Sequence, residues 1–524
     1  MLMDPTWKSL LPPLITVLLA IATRRIIVSL LVGVATGAFL LAPDYNPIAA
    51  AYLFSEGLLW KSLADEDHLR VFVFTALMGA MIGVIRRSGG MEGIVTSLSP
   101  LAQTRRSGQL LTWALGLIIF IDDYANTLLL GHTMQPLADR LKISREKLAY
   151  LVDSTAAPVS GLALISTWIA GEIGYINDGF AKLDLPVEPD GFEVFVASIP
   201  YRFYVVWALL FVPVVAWLGR DFGPMLRAER EAVRSRPPEP TTTASEATVP
   251  YRWINAVLPI AVAVTVTIVL QYQTGWLSLY EADSSAAGTA SVWSIFCAGS
   301  SYVALVYGSL LGLCSAFLNA WSRRCGTWSE LSRAAGDGAA LVLPALAILG
   351  LAWALSDASA QLKTGEYLGG LVTQAVWLPL LPTVVFVISS VVAFSTGTSW
   401  GTMGIIMPIA IPTAFAALTA TTGEAVDLNS PIMLACVGSV LAGAIFGDHC
   451  SPISDTTVLS SQASGCHHLA HVWTQMPYAL LVGGIAILCG TLPIGFGISV
   501  WWLLPAGMIV LVAALLVIGR RPEA

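Results

Sequence analysis

Charge is what this sequence has least of. Lys, Arg, Asp and Glu make up 12% of the residues, about half the share usual in a soluble domain. Basic residues are missing from whole stretches: none occurs from Ser107 to Asp139, from Leu148 to Ala181, or from Thr364 to Gly519. These scarcities argue against a soluble enzyme and against a disordered chain. The seven cysteines follow no repeating spacing, so they do not form a disulfide framework and read as small buried hydrophobes. Met1 to Lys8 has no basic run, and no small-residue cleavage site closes the first apolar segment, so this segment reads as membrane-embedded rather than as a signal peptide. What is present is apolar: 56% of 524 residues, with a mean hydropathy of +0.74. The composition predicts an all-α polytopic membrane protein whose partner is the lipid bilayer. A net charge of −7 with no basic domain argues against nucleic acid.

Lys and Arg mark the cytoplasmic side of membrane proteins. Arg24-Arg25, Arg86-Arg87, Arg105-Arg106, Arg140 to Lys147, Arg220 to Arg236, Arg323-Arg324 and Arg520-Arg521 lie in polar connections, whereas residues 171–198 are acidic and residues 272–291 have no base. This places the C-terminus in the cytoplasm. The only long polar stretch, 220–250, is read as a cytoplasmic linker dividing a first membrane half, 1–219, from a second, 251–524. Residues 10–42 are read as two membrane segments around Arg24-Arg25.

Two segments do not read as ordinary spans. Residues 109–136 have basic connections at both ends but are too short for two crossings, and their centre, Asp122-Asp123-Tyr124-Ala125-Asn126, is polar. A re-entrant hairpin fits, because irregular backbone survives at membrane depth where protein or a wet cavity surrounds it. Residues 381–412, with Ser395-Thr396-Gly397-Thr398-Ser399-Trp400-Gly401 at the tip, are its counterpart. Pro136 pairs with Pro408, and Pro158-Val159-Ser160 pairs with Pro452-Ile453-Ser454. The connection between hairpin and Pro-Ser segment is basic in the first half and acidic in the second. Matched elements of opposite sidedness predict inverted-topology repeats, each with a re-entrant hairpin and a broken transmembrane helix.

The breaks are expected at Asp153-Ser154-Thr155-Ala156-Ala157-Pro158 and at Gly447-Asp448-His449-Cys450-Ser451-Pro452-Ile453-Ser454-Asp455-Thr456-Thr457, since Pro removes a helix donor and disfavours helix just before it. Asp122, Asp123, Asp153, Asp448 and Asp455 then lie at membrane depth, where a carboxylate costs at least ~2.5–3.5 kcal/mol. With bases scarce, protons or a bound cation must neutralise them. Asp448 and Asp455 are the first candidates to carry the cation and the proton, with Asp122, Asp123 and Asp153 next. Asn126, Thr398, Ser399, Ser454 and Thr456 would add neutral oxygens suited to a hard cation such as sodium. His449 is a candidate proton relay. Asp448, His449, Cys450 and Asp455 mix hard and soft ligand types, but consecutive ligands on one backbone make poor tetrahedral zinc geometry. His467, His468 and His471 are expected on a solvated loop. Asp357 is expected to cap its helix or face water, with a place on the transport pathway as the alternative.

The string Phe446-Gly447-Asp448-His449-Cys450-Ser451-Pro452-Ile453-Ser454-Asp455-Thr456-Thr457 closely resembles the signature of the NhaC family of sodium/proton antiporters. Ser395 to Thr402, Asp122 to Asn126 and Thr364-Gly365-Glu366-Tyr367-Leu368 also resemble that family. The resemblance covers most of the chain. It implies a bacterial inner-membrane exchanger of sodium for protons, with no cofactor beyond the transported ions, and a homodimer. Relatives suggested to move organic solutes leave a second expectation, an organic-solute antiporter. An amine suits the acidic site, whereas malate or lactate lacks a basic receptor in the core segments. An intramembrane aspartyl protease would need a Gly-x-Gly-Asp form that Ala444-Ile445-Phe446-Gly447-Asp448 lacks. A channel could not drive protons uphill with sodium. The chain therefore reads as a transporter and not an enzyme.

Overall fold

A computed structural model describes residues 6–23, 25–98, 100–120, 123–163, 166–183, 191–234, 252–282, 291–364, 367, 377–422 and 430–523. Of the described residues 86% are helical, and there is no strand among them. Long apolar runs have no side-chain route to satisfy their peptide groups, so helices, which close those bonds internally, are the expected outcome in lipid. Among the described residues eight helices are long and apolar enough to cross a membrane. A ninth crossing results if Gly191–Tyr201 and Phe203–Leu218, which meet at a 52° bend, form one span.

The first half contains α1 (Leu11–Thr23), α2 (Ile26–Leu41), α3 (Glu66–Arg87), α4 (Arg105–Ile118), α5 (Asp123–Arg140), α6 (Arg145–Leu162), α7 (Thr167–Phe180) and α8 (Phe203–Leu218). A helix over Gly223–Arg234, α9, follows. The second half contains α10 (Ile254–Ala282), α11 (Ser301–Ser322), α12 (Trp328–Gln361), α13 (Leu381–Thr396), α14 (Ser399–Thr422), α15 (Pro431–Cys450), α16 (Asp455–Ala463), α17 (His468–Ile485) and α18 (Val500–Ile518). Helices α2, α3, α10, α11 and α12 share one apolar core, and α6 to α8 with α13 to α15, α17 and α18 share another. Tyr124 and Leu128 of α5, with Val458, Leu459 and Ala463 of α16, pack against the first of these, so α5 and α16 lie where the two cores meet.

Several expectations change here. The start of the 220–250 stretch is not a loose linker: α9 seats Glu229 in a buried position, where it accepts the Ser144 amide at 2.7 Å and pairs with Arg105. Residues 235–250 lie outside the described residues. The first two segments form two packed helices of only 13 and 16 residues.

Both stretches fold as helix pairs, but α13 and α14 differ from the short re-entrant segments expected, since each is long and apolar enough to cross a membrane. Helices α4 and α5 pack together on either side of residues 119–122, and α13 and α14 meet at Gly397-Thr398. Gly397 has φ +71°, and a Cβ there would stand 2.5 Å from the Ile453 carbonyl. Only glycine lets this tip take the left-handed turn and press against the break between α15 and α16. Gly447 has a related role, since a Cβ would lie 2.1 Å from the Ser390 carbonyl where α15 crosses α13.

The two helix breaks differ from expectation in one respect. The second falls at Ser451 to Ser454, as the Ser-Pro string suggests. The first does not fall at Pro158, which lies inside continuous α6; the helix stops at Leu162 and resumes at Thr167. A single internal proline removes one hydrogen bond, and buried packing on all sides of α6 holds the helix through it. The stop is made instead by Ser166, whose hydroxyl donates to the Ser160 carbonyl at 2.7 Å and caps α7 by accepting the Trp168 amide.

Candidate functional site

Asp448 lies in the last turn of α15 and Asp455 at the first position of α16, with four residues of non-helical chain between them. Ser454 caps α16 by accepting the Thr457 amide. The C-terminal end of α15 carries negative potential, which favours a cation beside Asp448; the N-terminal end of α16 is positive, which favours the Asp455 carboxylate. Two neighbouring acids therefore sit in opposite helix fields.

Their contacts differ too. Asp455 accepts the Tyr124 hydroxyl at 2.5 Å and the Thr456 amide at 2.8 Å. Asp448 accepts the Thr456 hydroxyl at 2.8 Å through Oδ2, while its Oδ1 is buried without a hydrogen-bond partner. A buried carboxylate oxygen with nothing donating to it is costly unless a ligand or a proton arrives. The Ser454 and Thr456 hydroxyls are 3.1 Å apart at the same place.

Asp153, from α6, faces this pair across the helix interface and is fully buried. It accepts Ser460 at 3.0 Å and Thr457 at 3.3 Å, both from α16, and the Gln475 amide from α17. His471 Nε2 is 3.4 Å from its Oδ2. Gln475 also donates to the His449 carbonyl at 3.1 Å, and His449 Nδ1 is 2.8 Å from the Tyr204 hydroxyl. Among the described residues no Lys or Arg comes within 4.0 Å of Asp153, Asp448 or Asp455. Buried bases do exist in the fold, but they are paired elsewhere: Lys147 with Asp221, and Arg202 with Glu172 at 2.7 Å. No group of three or more His, Cys, Asp or Glu suited to holding a metal occurs among the described residues.

The remaining candidates are placed as follows. Asp123 accepts the Trp168 indole N–H at 2.9 Å. Asn126 donates to the carbonyls of Gly116 and Ile119, each at 2.8 Å, and so ties its own hairpin together. Ser399 reaches the Ala444 carbonyl at 3.4 Å. Thr398 lines a cavity that Asp455 also lines. Among the described residues no hydrogen bond joins Asn126, Thr398 or Ser399 to Asp448. Asp122 and Glu366 lie outside the described residues.

The histidine expectation is corrected. His471 is wholly buried against Asp153, and His468 bonds the Pro452 carbonyl at 2.7 Å and Ser461 at 3.1 Å. Both belong to α17, which folds back on the break, so they are not on a solvated loop. Tyr124, Thr457, Ser460, His471 and Gln475 were missed as site residues. A glutamine within the long apolar run 468–485 is the signal that was available, by the same reasoning applied to the aspartates.

A cavity of about 390 Å³ reaches Asp455 from the end of the fold where α3 begins and α12 ends. Asp357 lines it and forms a 3.5 Å ion pair with Lys61.

A many-helix membrane body with polar groups converging on a helix break deep in its core is the architecture of a secondary transporter. The chain belongs to the Na+/H+ antiporter family: the family's sequence model matches residues 159–493. It is a multi-pass membrane protein of an antiporter family, and not an enzyme. An uncharacterized protein of Haemophilus influenzae is 33% identical over 496 residues, 94% of this chain and 91% of that one. Relatives named for an activity match locally. The malate-2H+/Na+-lactate antiporter of Bacillus subtilis is 32% identical over 25% of this chain and 30% of its own. The arginine/ornithine antiporter ArcD of Halobacterium salinarum is 29% identical over 31% of each.

Proposed function

We propose that the protein exchanges sodium for protons by alternating access, with Asp448 as the principal cation and proton carrier. The observation that carries this is the Asp448 oxygen left without a donor, beside two hydroxyls, in a core where no Lys or Arg among the described residues pairs with Asp153, Asp448 or Asp455. A group that must hold a cation or a proton, and cannot hold both, couples the two fluxes. Asp455 faces the cavity and would receive the cation from water; Ser454 and Thr456 would supply neutral oxygens. Asp153 positions α16, and His449 and His471 offer a route for the proton. Asp123, Asn126, Thr398 and Ser399 hold the hairpin tips against the site.

The packing supports an inverted repeat. Helix α7 lies on α14, while α16 lies on α5, so the distal part of each broken helix packs on the other half's hairpin. Such exchange of partners is what a pseudo-two-fold axis would produce, and it supplies two near-equivalent states. By the positive-inside rule the cavity would open on the outer face and the C-terminus would lie in the cytoplasm; a bacterial inner membrane is the setting this reading proposes. The family match supports antiport. The named relatives, which carry sodium with organic acids or exchange amino acids, support a second reading in which the cargo is an organic solute. A sodium jump across proteoliposomes of the purified protein, read by an internal proton dye, tests the proposal. Sodium-driven proton movement is expected, and full activity of D448N would overturn the assignment.

A further inference from the structure

We propose that the cavity above Asp455 is a binding site for an organic ammonium compound. The inference rests on the reading of Asp455 as a cation-facing carboxylate, and it names a cargo class larger than sodium.

Size comes first. The cavity holds about 390 Å³, whereas a water molecule takes roughly 30 Å³ in the liquid. It has room for about a dozen waters, and its volume lies in the range of small-molecule sites. A sodium ion with a partial water shell fills little of it.

The lining comes second. Asp455 supplies a carboxylate at the deep end, 7% exposed and already oriented by Tyr124. Aromatic side chains, Tyr124, Tyr302, Trp353 and Trp400, make up much of the wall. Aromatic rings attract organic ammonium groups and also pack well against their carbon chains. Trp353 is held by His68, stacked at 3.9 Å, and Trp400 packs against Trp168 at 5.2 Å, so both walls are fixed before a ligand arrives. An organic anion is disfavoured at this floor, because a buried carboxylate would repel it.

The mouth adds a distinction. Lys61, 64% exposed, pairs with Asp357 at 3.5 Å. A solvated pair of this kind contributes little stability and exchanges partners readily. A ligand carrying a carboxylate as well as its ammonium would meet Lys61 at the far end. The shared chemistry is therefore a primary ammonium, and the two sources are a simple amine and an amino acid.

Binding to the purified full-length protein, followed by tryptophan fluorescence and melting temperature at constant ionic strength, separates these. The probes are n-butylamine, 1,4-diaminobutane and 4-aminobutanoate, with n-butanol and butanoate as controls. Saturable binding of the ammonium probes, with none for the controls, is expected. D455N should abolish it, and W353L should weaken it about tenfold. If K61Q weakens 4-aminobutanoate alone, the cargo is of the amino-acid type; if it weakens none, it is a simple amine. Uptake of radiolabelled 1,4-diaminobutane or 4-aminobutanoate into acid-loaded proteoliposomes should follow the binding. No saturable ammonium binding, or equal effects of butanol, overturns the inference and leaves a water-filled vestibule. The sodium jump on the same vesicles reports the exchanger reading separately: sodium-driven flux without ammonium binding sinks only this inference, and ammonium uptake without sodium-driven flux sinks only the other.

Discussion

The two Pro-Ser segments start from similar strings and end in different structures. In the first half, Ala157-Pro158-Val159-Ser160 continues as helix, and the chain breaks only after Leu162. In the second, Ser451-Pro452-Ile453-Ser454 is itself the break. Neighbouring groups account for the difference. Ser451 donates its hydroxyl to the Phe394 carbonyl of the opposing hairpin at 2.8 Å, and Ser454 caps the next helix. Ala157 has no polar side chain with which to do either, so helix α6 keeps its own bonds. Proline therefore permits a break, and side chains able to satisfy the loosened backbone decide whether one forms.

The same asymmetry governs the acids. Asp153 sits in unbroken helix with both oxygens supplied by donors. Asp448 sits at a helix end with one oxygen unsupplied. The first behaves as a fixed anchor, and the second is open to a ligand.

Five substitutions test this contrast. D448N should have the largest effect, reducing sodium-driven proton flux at least about 100-fold, with a melting temperature close to that of the wild type. Equal flux would move the exchange chemistry to another acid. P452A comes next. It should let α15 extend toward α16 and cost roughly tenfold or more in flux, whereas P158A should change flux less than about twofold and leave stability level or raised. Equal losses in both variants would mean that the two segments work alike. D153N should slow exchange about tenfold, the scale expected from weakening charge-assisted hydrogen bonds worth about 1.5–3 kcal/mol each. Its melting temperature should also fall, which D448N would not match. Among the variants at the acids and their donors, the smallest effect should come from Y124F, which removes one donor from Asp455 and should cost about fivefold in flux, near 1 kcal/mol. Sodium-jump flux and thermal melting on each purified variant check all five.

Much of the site was readable before any coordinates. Scarce charge marked the lipid environment, and acids without nearby bases in a basic-free stretch pointed to Asp448 and Asp455. The Ser-Pro-Ile-Ser string placed the second break, and the polar-centred segments marked both helix pairs but not the span length of the second. The errors came where local pattern was outvoted by packing. Pro158 read as a break because its surroundings could not be seen. His468 and His471 read as loop residues because the fold-back of α17 onto the break has no local signature.

Composition and the order of polar groups along the chain dictated that this protein lives in lipid, that its helices would be interrupted, and that acids would lie in segments without Lys or Arg. Those are consequences of solvation, which each residue carries with it. Which hydroxyl, amide or ring meets each acid was decided only by tertiary packing. Tyr124, Thr457, Ser460 and Gln475 reach Asp455 or Asp153 because α5, α16 and α17 converge, and hydrogen bonds a few ångströms long between residues hundreds of positions apart exist only once that convergence is made.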